Sequence, residues 1–121
     1  MDTTGANGSG AIVQSVATLF TAVTSASVTL AAFGSADNAT YGMFGRANNE
    51  AITQGSGFTL IHNPFGATPN TSLMTEFRND NDTGVDASWV TSSNCRGIAV
   101  EIKNAVAGGT VRRRMPLLNV G

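Results

Sequence analysis

The chain has 121 residues, enough for one domain, with 41% hydrophobic residues, 12% charged residues and a formal net charge of −1. Charged residues stand at about half their usual share, replaced by Thr, Ser, Asn, Gly and Ala, which excludes a disordered chain and a basic nucleic-acid-binding domain. A single cysteine, Cys95, and a single histidine, His62, exclude an internal disulfide and a Cys/His zinc site.

Residues 1–10 are polar and Gly-rich and read as a flexible or extended arm. The N-terminus lacks a basic and then apolar leader, so no signal peptide is expected. No apolar run approaches the ~18 residues of a membrane span, so no membrane partner is expected. Ala11 to Val23 fits both a helical and an extended spacing, and its Thr and β-branched content favours a strand. Ser27 to Phe33 is a mostly apolar run that predicts a strand covered on both faces. Gly34 to Ala39 supplies turn residues. Tyr41 to Ala47 is the next predicted strand, with Gly42 and Gly45 allowing bends or close packing.

Gln54-Gly55-Ser56-Gly57 predicts a turn and Phe58 to Asn63 a strand that Pro64 stops. Leu73 to Arg78 alternates, and Asn79 to Gly84 predicts a tight turn. Val85 to Thr91 predicts a strand carrying Trp89. Ile98, Val100 and Ile102 alternate with Ala99, Glu101 and Lys103, which predicts one face in and one face wet. Six or seven short strands between Gly, Asn, Asp, Ser and Pro turns give an all-β fold, an antiparallel β-sandwich or jelly-roll-like single domain over residues 11–105. Phe33, Phe44, Phe58, Phe77 and Trp89 read as core layers.

Residues 106–121 form a C-terminal extension. Four basic and eight acidic residues precede Arg112, a sum of −4, and Arg112, Arg113 and Arg114 add +3. Met115, Leu117 and Leu118 follow around Pro116. An apolar tail after a finished strand suits a segment that docks on a neighbouring subunit, so Arg112, Arg113, Arg114, Met115, Leu117 and Leu118 are the candidate partner-binding residues. Three arginines on an acidic body suit an acidic protein surface as well as phosphates, and nucleic acid is not the expected partner.

No catalytic set emerges. His62 and Cys95 are far apart and stand in no nucleophile–base motif. Asp80, Asp82, Gly84 and Asp86 resemble the start of a calcium loop but lack its closing Glu and flanking helices, and a hairpin turn accounts for them better. Gly5 to Gly10 lacks the Gly-Lys-Ser/Thr of a phosphate cradle. Asn38, Asn70 and Asn81 begin sequons by composition. Cys95 beside Arg96 reads as a small buried or loop thiol. Glu76 and Glu101 could form a long-range carboxylate dyad, but both read as solvent-face residues. No cofactor and no metal are expected.

Four motifs between Ser27 and Lys103 carry a family resemblance. Val28 to Ser35 is an apolar strand ending in Gly-Ser. Gly55-Ser56-Gly57-Phe58-Thr59 is a Gly-x-Gly-Phe-Thr turn. Leu73-Met74-Thr75-Glu76-Phe77-Arg78 follows a Leu-x-Thr-x-Phe-Arg pattern. Trp89 leads into Gly97-Ile98-Ala99-Val100-Glu101-Ile102. Together they resemble the C-terminal half of a β-sandwich domain of phage virion structural proteins and bacterial surface proteins. The longer relatives carry a preceding set of strands that this chain lacks, so the sandwich is either completed from fewer strands or closed by a neighbouring subunit, which favours an oligomer. The resemblance implies a non-enzymatic bacteriophage structural protein, a capsid decoration (cement) protein that binds the major capsid protein and stabilises the head shell. It implies a homo-oligomer, a trimer being the common form, located on the capsid surface after assembly in the host bacterial cytoplasm. The alternative is a tail or fibre component with a carbohydrate- or surface-binding sandwich module.

Overall fold

The structure is a computed structural model that describes residues 11–80 and 82–103. Among these residues there are seven strands and no helix: β1 (Ile12–Thr29), β2 (Ala39–Arg46), β3 (Thr53–Gln54), β4 (Thr59–His62), β5 (Phe65–Ala67), β6 (Asn70–Arg78) and β7 (Gly84–Ile102). The all-β class expected from the sequence is the one observed. All pairings are antiparallel and join the strands into one sheet of order β1-β7-β2-β6-β4, with β3 added to β7 and β5 to β6. The expected arm at 1–10 and the C-terminal extension, with Arg112, Arg113, Arg114, Met115, Leu117 and Leu118, lie outside the described residues.

Two long strands replace four short ones. The segments expected at Ala11–Val23 and Ser27–Phe33 are one strand, β1, which ends at Thr29 and leaves Leu30 to Phe33 beyond it. The segments at Val85–Thr91 and Ile98–Lys103 are the two halves of β7. The polar stretches between them look like turns in the sequence but form irregular pairing instead. Phe20 pairs with Cys95, Val23 with Ser93 and Ser25 with Ser88, so the register jumps twice within a few residues. Such bulges bend a strand pair and increase its twist. Ala22 takes a positive φ of 53° in this region, and its N–H donates to Asn94 Oδ1 at 3.0 Å.

Beyond the bend, Ser25 to Thr29 pairs with Gly84 to Ser88, and β3 pairs with Ser88 and Ala87. This small layer supplies Ala26, Val28, Val85 and Ala87 to the core, which meet Phe44, Met74, Cys95 and Ala99 of the larger part of the sheet. Burial of each larger side chain contributes about 1.5–3 kcal/mol. The two layers approach closely. A Cβ at Gly42 would collide with Val85 Cγ1, and one at Gly97 would lie 2.8 Å from Val28 Cγ2.

That closeness reverses the expected phase of β7. Cys95, Gly97, Ala99 and Glu101 face inward and are buried, while Ile98, Val100 and Ile102 are half-buried on the outer face. Only small residues, or a hydrogen-bonded carboxylate at the rim, fit between the layers. On β6, Ser72, Met74 and Glu76 are buried, and Leu73, Thr75 and Phe77 face outward. Phe44, Phe58 and Trp89 are core residues as expected, and Phe33 packs at the core margin. Phe77 is an outer-face residue, contrary to its expected place in the core. The turn at Gly55–Phe58 forms as expected, with Phe58 N donating to Gly55 O at 3.1 Å and Gly57 at a φ of 84° that favours glycine.

Candidate docking face and the polar groups behind it

The outer face of the larger part of the sheet is built from three cross-strand rows. Leu19, Arg96, Gly45 and Leu73 form the first, Ala17, Ile98, Met43 and Thr75 the second, and Ser15, Val100, Tyr41 and Phe77 the third. Ile12 and Ile102 pair at the far end. Tyr41, Met43, Phe77, Ile98, Val100 and Ile102 are half-buried by each other, while Leu19 is 61% and Ile12 53% exposed. Among these outer-face positions Arg96 is the one charged side chain. A sheet that turns one face to water carries polar residues there; apolar residues on both faces belong to sheets covered on both sides.

At one end of this face lies an open groove of about 660 Å³, lined by Leu19, Gly45, Leu73, Asn94 and Arg96 among others. Gly45 accounts for the hollow. A Cβ there would meet only Leu73 Cδ1, at 3.8 Å.

Two carboxylates of the acidic loop are paired with Arg78. Arg78 Nη1 is 2.7 Å from Asp82 Oδ2, and Arg78 Nη2 is 3.0 Å from Asp80 Oδ2. This guanidinium holds the Asp80 carboxyl below its ordinary range, chiefly through the hydrogen bond. Asp82 Oδ1 accepts from Gly84 N at 2.9 Å, the hydrogen bond of an Asx turn. Asp86 sits apart, its pKa raised by desolvation and by the charge of Asp82. Among the described residues no three His, Cys, Asp or Glu side chains gather as metal ligands. His62 is exposed on β4 opposite Thr75. Cys95 is buried, which pushes its thiol up to about 11 and removes the thiolate needed for reactivity.

Glu76 and Glu101, expected on the solvent face, are both fully buried on the inner face. The phase reversal described above places them there. They do not form a dyad: they lie on β6 and β7, separated by β2, about 10 Å of strand spacing, and they share no partner. Glu101 fastens the loop between β1 and β2. Its Oε1 accepts from Asn38 Nδ2 at 2.7 Å and Gly34 N at 3.1 Å, and its Oε2 accepts from Gln14 Nε2 at 2.7 Å. Gln14 in turn exchanges two hydrogen bonds with the Ala31 backbone. The Asn38 sequon side chain is thus part of the buried structure. Glu76 Oε2 accepts from Gly55 N at 2.8 Å, and Oε1 has no hydrogen-bond partner among the described residues. Desolvation, joined by the charge of Asp86 and opposed by the Gly55 hydrogen bond, raises Glu76 to about 7.

A third buried polar group, absent from the sequence-based candidates, is Arg46. Its side chain is fully buried, and its guanidinium carbon lies 5.0 Å from the Trp89 ring centroid. Nε donates to Ser93 Oγ at 2.9 Å and Nη2 to Thr91 O at 3.1 Å. Nη2 also pairs with Glu50 Oε2 at 3.4 Å, and that carboxylate accepts from Val90 N and Thr91 N at 2.8 and 2.9 Å. Trp89 Nε1 completes the set by donating to Val23 O at 2.8 Å. These groups satisfy the backbone that the β7 bend leaves unpaired, so their role is structural.

The outer face is hidden in the sequence because Ile98, Val100 and Ile102 show the alternation of core residues. The signal that could have found it is the run of small residues at alternate positions of β7, Cys95, Gly97 and Ala99, with Gly42 on β2 opposite Ala99, which marks the inner face as the crowded one. Comparison of the chain with models of protein families, with curated proteins and with solved structures finds no match.

Proposed function

We propose that this chain is a non-enzymatic structural protein of a bacteriophage particle, a capsid decoration protein that binds the major capsid protein and stabilises the assembled head shell. One observation carries the structural part of this reading: the sheet is apolar on both faces, and its buried polar groups are spent on holding loops and the bend. A protein that binds only the assembled shell stabilises it by mass action. The virion assignment is supported by the four motifs between Ser27 and Lys103 that resemble phage structural domains. The basic and apolar residues from Arg112 to Leu118 are proposed as an additional grip on the shell. No cofactor enters the proposal, and the expected location is the capsid surface.

The test is co-sedimentation of the full chain with heads that lack it. Binding at a fixed ratio per shell, with a rise in the temperature at which the heads open, supports the reading. Heads that sediment without the protein at saturating concentration would overturn it.

One observation favours a second reading, a tail or fibre module that binds carbohydrate. Tyr41 and Phe77 are register partners, half-exposed on the outer face, and aromatic pairs stack on sugars. Their neighbours Val100 and Met43 offer no hydrogen bonds to hydroxyls, which places this reading second. A glycan array with hits that Tyr41→Ala abolishes would reverse the order.

A further inference from the structure

We propose that the outer face of β1, β7, β2 and β6 is a self-association interface, on which the same face of a second copy of this chain packs about a two-fold axis. This self-association goes beyond the decoration reading and does not rest on it, and it puts a two-fold dimer in place of the trimer that the family resemblance implies.

The first argument is the phase of the strands. A side-chain period of two forces a choice at every strand. On β7 the choice puts Cys95, Gly97 and Ala99 inside and Ile98, Val100 and Ile102 outside. β2 and β6 likewise turn Tyr41, Met43, Leu73 and Phe77 outward. The larger apolar side chains of β7 therefore lie on the face that the described residues leave uncovered.

The second argument is area. Across β1, β7, β2 and β6 the face is about 19 Å wide at ~4.8 Å per strand, and the seven residues from Arg96 to Ile102 span about 23 Å at ~3.3 Å per residue. That is roughly 450 Å² of flat surface per copy, and more once side-chain relief is included. Two copies together bury about 1,000 Å², the threshold of a specific interface. Sheets packed face to face in this way lie about 10 Å apart with interdigitated side chains.

The third argument is charge. A nucleic acid or an acidic surface would need several cations, and this face carries Arg96 alone, at one end. A neutral apolar face is matched by another neutral apolar face. With the two-fold axis running across the strands, the two Arg96 side chains stand at opposite ends and do not oppose each other. Tyr, Phe, Met and Arg are also the residue types enriched at interface centres.

The test is sedimentation equilibrium of the full chain between about 1 and 100 µM, without capsids. The expected result is a dimer. Ile98→Glu and Met43→Glu, which place a charge in a dry interface, are each expected to weaken association by at least about 100-fold. Ser25→Glu, an exposed position on the small layer, is expected to leave the dimer intact. Far-UV circular dichroism reports whether each variant folds. If the Glu variants unfold, Ile98→Thr keeps a β-branched residue at that strand position and is expected to weaken association by about tenfold. A monomer at the highest concentration overturns the proposal, whether its face is bare or covered by its own terminal segments. So does a dimer that survives Ile98→Glu in a folded protein, or a trimer. A monomer that still binds heads would sink this proposal and leave the decoration reading standing; a dimer that ignores heads would do the reverse.

Discussion

Gly97 faces Val28 across the core so closely that a Cβ on residue 97 would lie 2.8 Å from Val28 Cγ2 and 2.7 Å from Phe44 Cε1. This one separation sets the thickness of the fold and decides which side of β7 can be the inner one. Gly97→Ala is therefore expected to destabilise the protein by about 1–3 kcal/mol through overpacking. Gly45→Ala, whose new Cβ meets only Leu73 Cδ1 at 3.8 Å, is expected to change stability by under about 0.5 kcal/mol. Urea unfolding of the two variants distinguishes them. Equal stabilities would mean that the layers are further apart than described.

Arg46 fastens the bend of β7 through Ser93, Thr91, Glu50 and the Trp89 ring. Removal of one partner from a buried, hydrogen-bonded ion pair costs several kcal/mol because the other groups are left unpaired. Arg46→Lys keeps the charge but loses the fork that reaches both Ser93 Oγ and Thr91 O, so it is expected to destabilise by about 2–4 kcal/mol. Glu50→Gln keeps an acceptor for the Val90 and Thr91 N–H groups and is expected to cost less. Thermal melts of both variants test the order, and a neutral Arg46→Lys would show that the guanidinium geometry is immaterial.

Glu76 gives the fold a pH dependence whose sign is opposite to that of an ordinary salt-bridged carboxylate. Its folded pKa of about 7 stands above the ordinary 4.5. The folded state thus holds the proton more tightly than the unfolded state, and the associated stability is full below pH 4.5 and lost as pH rises through 7. At 1.36 kcal/mol per unit the loss is about 3 kcal/mol. Asp86, also raised, acts with the same sign at more acidic pH. Glu50 and Asp80, both lowered, lose their contributions only in strong acid, outside this window. Unfolding free energies measured at pH 5 and pH 8 are expected to fall for the native chain and to stay nearly level for Glu76→Gln. A native chain that is flat across this interval would contradict the burial of this carboxyl.

Ala22 sits in the left-handed region at the bulge of β1, where an L-residue costs about 1–2 kcal/mol and glycine does not. Its side chain is exposed. Ala22→Gly is expected to stabilise by about 0.5–1 kcal/mol after the greater chain entropy of glycine is subtracted. A lower melting temperature for this variant would place Ala22 in an ordinary extended conformation.

The sequence showed its class plainly because the turns are chemically explicit. Gly55-Ser56-Gly57 and the Asn79–Gly84 loop mark reversals that the structure contains, and β4 and β6 fall within a few residues of their expected bounds, whereas the short β3 and β5 stand where no strand is expected. The bend was illegible. Ser92, Ser93 and Asn94 look like a turn, and only the distant Arg46 and Glu50 let the chain pass through them as one strand. The β7 phase was illegible for a related reason. Large aliphatic residues alternating with Ala and Glu normally turn inward, and the rule failed because Gly42 and Gly97 bring the layers too close. Glu101 inside the protein depends on Gln14, Asn38 and Gly34, three partners from other parts of the chain that no local pattern announces. The docking face emerged with the same reversal.

The central claim is that the large apolar residues of β7 point away from the core onto a face made for docking. It is tested most directly by thiol labelling of the full chain carrying Ile98→Cys or Ala99→Cys, with the buried Cys95 left as a slow internal baseline. At low protein concentration the account predicts fast labelling at position 98 and slow labelling at position 99, and protection of position 98 as concentration rises. Fast labelling at position 99 with a protected position 98 in dilute protein would contradict it.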